Sequence, residues 1–175
     1  MRIYDYLHKR LNRLTPVAAD CGRLCDAACC KGSDDTGMYL FPGEKAHIKL
    51  SEGMEIHKSD FEYAPGLYAD ILTCKSKCAR ECRPLACRIF PLVPFFDGRL
   101  SVIYDPRGFR MCPFVQAGDA GMLSADFKAA VLEVSELLFK FSDGRKFIKS
   151  LSLILDDEIQ IQRRFGCGRD YKAIN

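Results

Sequence analysis

The stretch CGRLCDAACCKG, residues 21–32, sets Cys21, Cys25, Cys29 and Cys30 into ten positions, the last two adjacent. Around it, from 17 to 38, small, polar and cysteine residues follow no helical or strand period, so the segment is a loop unless a ligand organises it. How it is read therefore decides the fold. Either this part is irregular surface, or it is shaped by what its thiols hold.

The chain has 175 residues, ten of them cysteine, with 48% hydrophobic and 28% charged residues. That length suits one domain with a real core, which needs no disulfide staples. The N-terminal MRIYDYLHKRLNRL lacks an apolar run of signal-peptide length, and no later segment reaches membrane-span length. These features predict a soluble, cytoplasmic protein with no membrane partner. In a reducing compartment so many cysteines point to metal rather than to disulfides. The net charge of +3 is too small to argue for nucleic acid.

Outward from the cysteines, Ile3, Tyr6 or Leu7, Leu11 and Leu14 predict a helix over 2–14, ended by Pro16. MYLFPGE reads as a short strand entering a turn at Pro42-Gly43, with Glu44 opening a brief helix. Residues 54–73 read as irregular with short strands, the clearest over 67–73. VPFF-DG-RLSVIY is a hairpin turning at Asp97-Gly98. Ser124 caps a long helix with Phe127, Val131, Val134, Leu138 and Phe141 on one face, broken at Asp143-Gly144. A second helix follows over about 145–164, with Phe147, Leu151, Ile154 or Leu155 and Ile159 inward. The predicted fold is α+β: one domain over 1–175, with a cysteine-rich, metal-organised region (15–115) carrying short strands, packed on a C-terminal helical hairpin (122–165).

A second run, CKSKCARECRPLACRIFP, holds Cys74, Cys78, Cys82 and Cys87; Cys112 follows in RMCPF, and Cys167 stands alone between glycines. Five cations against one anion lie over 74–88, which is no core composition and predicts thiols biased toward thiolate. The metal-ligand candidates are Cys21, Cys25, Cys29, Cys30, Cys74, Cys78, Cys82, Cys87 and Cys112. A tetrahedral zinc site, with Zn–S bonds of ~2.3 Å, needs sulfurs about 3.8 Å apart. Three-residue intervals on a helix leave Cβ atoms ~5–6 Å apart. An iron–sulfur cluster tolerates the wider spacing, whereas structural Cys₄ sites are most often zinc. Both stay open. In extended chain Cys29 and Cys30 point to opposite sides, so either one of them is a ligand or the two serve neighbouring metals.

CDAACC with the preceding cysteines, then LFPGE, then CRPLACRIFPL resemble the YkgJ-type cysteine-cluster proteins, a zinc- or iron-chelating domain. The resemblance covers about residues 20–115 and is closest over Arg83–Pro91. It implies a bound metal held by Cys21, Cys25, Cys29 or Cys30, Cys78 or Cys82, and Cys87. The family's commonest first signature has two residues between cysteines where this chain has three. A related cluster occurs in flagellin lysine N-methylases, a weak pointer because the rest of the chain shows no methyl-transfer machinery.

In RPLACR, Pro84 suits the first position of a short helix, Leu85 and Ile89 face inward, and Arg83 and Arg88 are placed to donate to thiolates or to lie on the surface. His47 and His57 are candidates to complete a Cys₃His site, although exposed histidine is the ordinary reading; His8 has no local partner. Asp34 and Asp35 are hard-ligand or turn residues, and Asp105, Arg107 and Arg110 an anion-binding or turn segment. No P-loop, dinucleotide fingerprint, nucleophile elbow or zinc-protease motif is present. The expected function is a protein chelating zinc or iron, iron–sulfur included. The alternatives are an iron–sulfur enzyme of redox or protein-modification chemistry and a zinc-ribbon-like binding module. The modest charge counts against nucleic acid for the last.

Overall fold

Helix α1 (Ile3–Leu11) buries Tyr4, Leu7 and Leu11 along one stripe. It stops three residues short of the predicted Leu14 because a side chain takes its last carbonyls. The Arg80 guanidinium donates from Nε to Asn12 O (2.5 Å) and from Nη2 to Leu11 O (3.0 Å) and to Leu14 O. A helix end must find partners for those groups, and here the second cysteine run provides them. The computed structural model describes residues 3–31, 37–75, 78–166 and 171–174.

The strands form two antiparallel sheets. In the first, β1 (Gly37–Tyr39) and β2 (Met54–Ala64) flank β3 (Leu67–Cys74). The prediction over 67–73 is right, but 54–64 is one long strand rather than irregular chain. Its alternation is hidden because only Met54 and Phe61 are buried and the register shifts between Lys58 and Glu62. The second sheet is the predicted hairpin, β4 (Leu92–Phe96) and β5 (Leu100–Tyr104), turning through Gly98 at φ +101°. Such a backbone angle suits glycine.

Helix α4 (Ala125–Lys140) begins as expected, Ser124 Oγ accepting from Phe127 N at 3.1 Å. Helix α5 (Ser142–Arg164) follows after the single non-helical residue Phe141. The predicted break at Asp143-Gly144 is thus misplaced: Phe141 turns outward instead of completing the stripe, and Gly144 lies inside the first turn of α5. A Cβ at 144 would stand 2.2 Å from Leu138 O. The glycine serves a close approach of the two helices rather than a chain break. Of the alternatives on α5, Leu155 is buried and Ile154 is exposed.

α4 packs on α1, β4 and β5, while α5 packs on β2 and β4. Between them lies the main core, including Leu7, Leu11, Leu85, Ile89, Val102, Phe127 and Phe147. Phe147 touches the rings of Phe41, Phe61 and Tyr63, each side chain of this kind contributing ~2–3 kcal/mol by leaving water. Because strand side chains alternate, β3 serves two cores. Ala69 joins the main one, and Leu72 joins a smaller cluster with Leu40, Met54 and Cys82, on which Cys74 and Cys78 pack.

Two short helices complete the frame: α2 (Leu85–Ile89) and α3 (Pro113–Ala117). Pro84 sits one place ahead of the first turn of α2, and Leu85 and Ile89 face inward as predicted. Glu44, fully buried, reaches across from the turn after β1. Its Oε1 accepts from Leu85 N (2.6 Å) and lies 3.0 Å from His8 Nε2, and its Oε2 accepts from Phe41 N (3.1 Å). One carboxylate thereby joins α1, the LFPGE turn and the start of α2. Among the described residues, no helix is long and apolar enough to cross a membrane.

Candidate metal centre

The first cysteine run is folded by tight turns rather than by regular structure. Asp20 Oδ1 accepts from Gly22 N (3.1 Å) and caps a 3-10 turn over Cys21–Leu24. Asp26 and Ala27 then both adopt φ +50°, a conformation that costs a non-glycine residue about 1–2 kcal/mol. A second 3-10 turn, Ala28–Cys30, carries the adjacent pair. The reversal at 26–27 turns the chain between Cys25 and Cys29.

The other thiols come from regular elements. Cys74 ends β3, Cys82 ends a 3-10 turn over Arg80–Cys82, and Cys87 lies on α2. Cys112 occupies the N-cap of α3, ahead of Pro113, with the backbone N–H groups of Phe114 and Val115 close enough to favour its thiolate. All nine described cysteines are thiols.

The nine candidates do not form one cluster. Cys21, Cys25, Cys29 and Cys112 line a single cavity of about 20 Å³ together with Phe90, Pro91, Met111, Pro113 and Phe114. That is room for one water-sized object. The thiols of Cys112 and Cys25 and the guanidinium of Arg83 act on Cys21, and Cys29 feels Cys30, Cys25 and Cys21. A second neighbourhood surrounds Arg83: Cys30, Cys78 and Cys87 act on its guanidinium, which also hydrogen-bonds Cys78. Cys87 in turn feels Cys78, Cys74 and Cys30.

Cys82 is buried among Leu40, Met54 and Leu72, in the apolar cluster on which Cys74 and Cys78 pack, and its thiol acts on the Arg88 guanidinium. Within both groups the sulfurs remain apart: among the described residues, no three His, Cys, Asp or Glu side chains converge closely enough to hold one ion.

Burial overrides the expected bias toward thiolate. The thiols of Cys21, Cys74, Cys87 and Cys112 are all pushed up first by loss of solvent, and that of Cys29 first by its hydrogen bond to Cys30. Two of the cations counted in the sequence spend their hydrogen bonds elsewhere. Arg80 holds the end of α1, and Arg88, itself buried, donates to Arg83 O (2.7 Å), Glu81 O (3.0 Å), His8 O (3.2 Å) and Asn12 Oδ1 (3.2 Å). The suggestion that Arg88 donates to thiolates is therefore wrong. Its reach is spent on backbone carbonyls, and Arg83 takes the sulfur role.

The remaining candidates fall away from the thiols. His8 faces Glu44, His47 Nδ1 lies 3.0 Å from Asp5 Oδ1, and His57 Nε2 lies 3.2 Å from Glu55 Oε2. Asp105 accepts from the backbone N–H of Arg107 (3.0 Å) and from its Nε (2.9 Å) and Nη2 (2.6 Å). That segment is a self-neutralised turn rather than an anion site, and Arg110 is exposed. Asp34, Asp35 and Cys167 lie outside the described residues. Sequence reasoning missed Glu44 as a buried hub. Its signal was a carboxylate one residue after the Pro-Gly turn, read only as a helix opener.

The donor set suits a soft metal. The donors are cysteine sulfurs, which zinc and iron take as thiolates. The buried Arg83 Nε has no hydrogen-bond acceptor beside it, and it sits where thiolate or sulfide charge would provide one. Comparisons of the chain with protein-family models, curated proteins and solved structures give no match.

Proposed function

We propose that this chain chelates zinc or iron, as ions or as an iron–sulfur cluster, through its clustered cysteines. One observation carries the reading. The first cysteine run and Cys112, far apart in sequence, line one cavity, and the buried Arg83, whose Nε lacks an acceptor, lies within electrostatic reach of Cys30, Cys78 and Cys87. The resemblance to the YkgJ-type cysteine-cluster proteins points the same way.

A metal gives the irregular half what it otherwise lacks. The chain from 12 to 31 has no strand or long helix, and two of its residues hold a costly backbone conformation. Metal–thiolate bonds tie it to β3, α2 and α3, so binding free energy becomes folding free energy. Bound metal displaces the thiol protons, which the buried sulfurs otherwise retain.

Purification without oxygen, followed by metal analysis and a visible spectrum, tests this. A colourless protein containing zinc establishes the zinc form. A brown protein with iron and acid-labile sulfide establishes the cluster form and opens redox or modification chemistry. A chain that takes up neither metal refutes the proposal.

A further inference from the structure

We propose that Cys29 and Cys30 form a bidentate site for trivalent arsenicals that carry one carbon substituent. The site needs two thiols and no ion, so it stands or falls apart from zinc or iron binding.

The pair is accessible and its thiols meet. Adjacent in the chain, the two cysteines share the 3-10 turn Ala28–Cys30, and Cys29 hydrogen-bonds Cys30 through its thiol. Among the nine described cysteines Cys29 alone is exposed; Cys30 is half-buried, and Cys82 and Cys112 are buried. An electrophile arriving from solvent meets Cys29 first and finds a second sulfur beside it.

The turn holds the pair in place before anything binds. Cys30 N donates to Ala27 O (2.7 Å) and Lys31 N to Ala28 O (3.1 Å), while Lys31 Nζ donates to Asp26 Oδ2 (2.7 Å). Asp26 and Ala27, both at φ +50°, fix the entry to the turn. A dithiol fixed in this way gives up little freedom on binding, the loss that weakens a flexible one.

Donor number selects the ligand. Among the described residues no three ligating side chains converge, so a pair of thiols is what this surface offers. Structural zinc takes four ligands. An arsenic(III) atom already bonded to one carbon has two bonds left to give, and two thiols complete it. In the reaction the arsenic–oxygen bond of R–As=O breaks and two arsenic–sulfur bonds form. Both thiol protons leave with the oxygen as water. Arsenic stays trivalent and the sulfurs keep their oxidation state, so no oxidant or reductant enters. The second bond closes within one turn, at an effective concentration that a monothiol in solution does not match. The exposure of Cys29 leaves room in solvent for the carbon substituent.

The test treats the reduced, metal-free full chain with one equivalent of phenylarsine oxide, then with excess glutathione, and reads intact mass. The expected result is one phenylarsenic group per chain, retained in glutathione and removed by the dithiol dimercaptopropanol. Cys29, open to iodoacetamide in the untreated native chain, should be protected in the treated one. Cys29→Ser and Cys30→Ser should each cut retention by about a hundredfold or more. Cys82→Ala and Cys87→Ser should keep it. Circular dichroism checks that each variant folds, and the protection of Cys29 in the wild type decides where one does not. The site is overturned by a wild-type chain that loses the arsenical to glutathione, by a treated chain whose Cys29 still reacts, or by a folded Cys29→Ser or Cys30→Ser variant that retains the group. None of these results bears on metal content, which the metal analysis reads separately.

Discussion

The carboxylate of Glu44 receives the backbone N–H of Leu85 at 2.6 Å, joining the turn after β1 to the helix that carries Cys87. The same side chain meets His8 and Phe41 N, all within the protein interior. Glu44→Ala leaves at least two buried donors without an acceptor, and each such loss costs about 1–3 kcal/mol. Urea denaturation of the metal-free protein should show a loss of about 2–4 kcal/mol, with Glu44→Gln milder because it keeps an acceptor oxygen. A change below about 0.5 kcal/mol, the size of an ordinary surface substitution, would remove Glu44 from this role.

Gly144 is the second structural test. A methyl group there would lie 2.2 Å from Leu138 O, which real contacts do not allow, so α4 and α5 must separate. Gly144→Ala should cost about 1–3 kcal/mol despite the higher helix propensity of alanine. Thermal denaturation decides the sign. A stabilised variant would mean that the elbow at Phe141 is looser than described.

Arg83 should act on metal rather than on folding. Its guanidinium hydrogen-bonds Cys78 and lies beside Cys30 and Cys87. Arg83→Gln should weaken Co²⁺ binding by about tenfold or more, the range for groups that support metal ligands. An unchanged Co²⁺ affinity would contradict the assignment.

The clasp between α1 and α4 gives a pH dependence. Tyr6 Oη and Arg10 Nε donate to the two oxygens of Glu133 at 2.5 and 2.8 Å. These bonds, Tyr6 first, hold the Glu133 carboxyl below the usual carboxylate range. A depressed folded-state pKa stabilises fully above the ordinary carboxylate pKa, and that contribution is lost as pH falls through and below it. Because the pair is partly exposed, Glu133→Gln should cost only about 0.5–1 kcal/mol at neutral pH. The gap from wild type should close in acid. A gap that widens in acid would reverse the sign.

Helical elements were legible because their stripes are strong: Phe127, Val131, Val134 and Leu138 on α4 lie buried as their spacing predicts. The hairpin at Asp97-Gly98 was legible from its turn chemistry. β2 was not, because a strand with two buried residues and a register shift carries almost no period. Membership of the thiol groups was partly legible. The opposition of Cys29 and Cys30 expected of extended chain is not realised, because the pair sits in a 3-10 turn and Cys29 hydrogen-bonds Cys30. That Cys112 joins the first run, that Cys82 turns into an apolar cluster, and that Arg88 faces α1 rather than sulfur all depend on contacts between distant segments. Spacing along the chain does not encode them.

The central claim is that these thiols hold metal. Metal analysis of anaerobically purified chain, paired with thermal denaturation before and after exhaustive chelation, tests it most directly. The account predicts bound zinc or iron, and a melting temperature that falls on removal and returns on reloading. It also predicts that Cys87→Ser loses metal and stability together. A metal-free chain whose melting temperature ignores both chelator and added metal would contradict it.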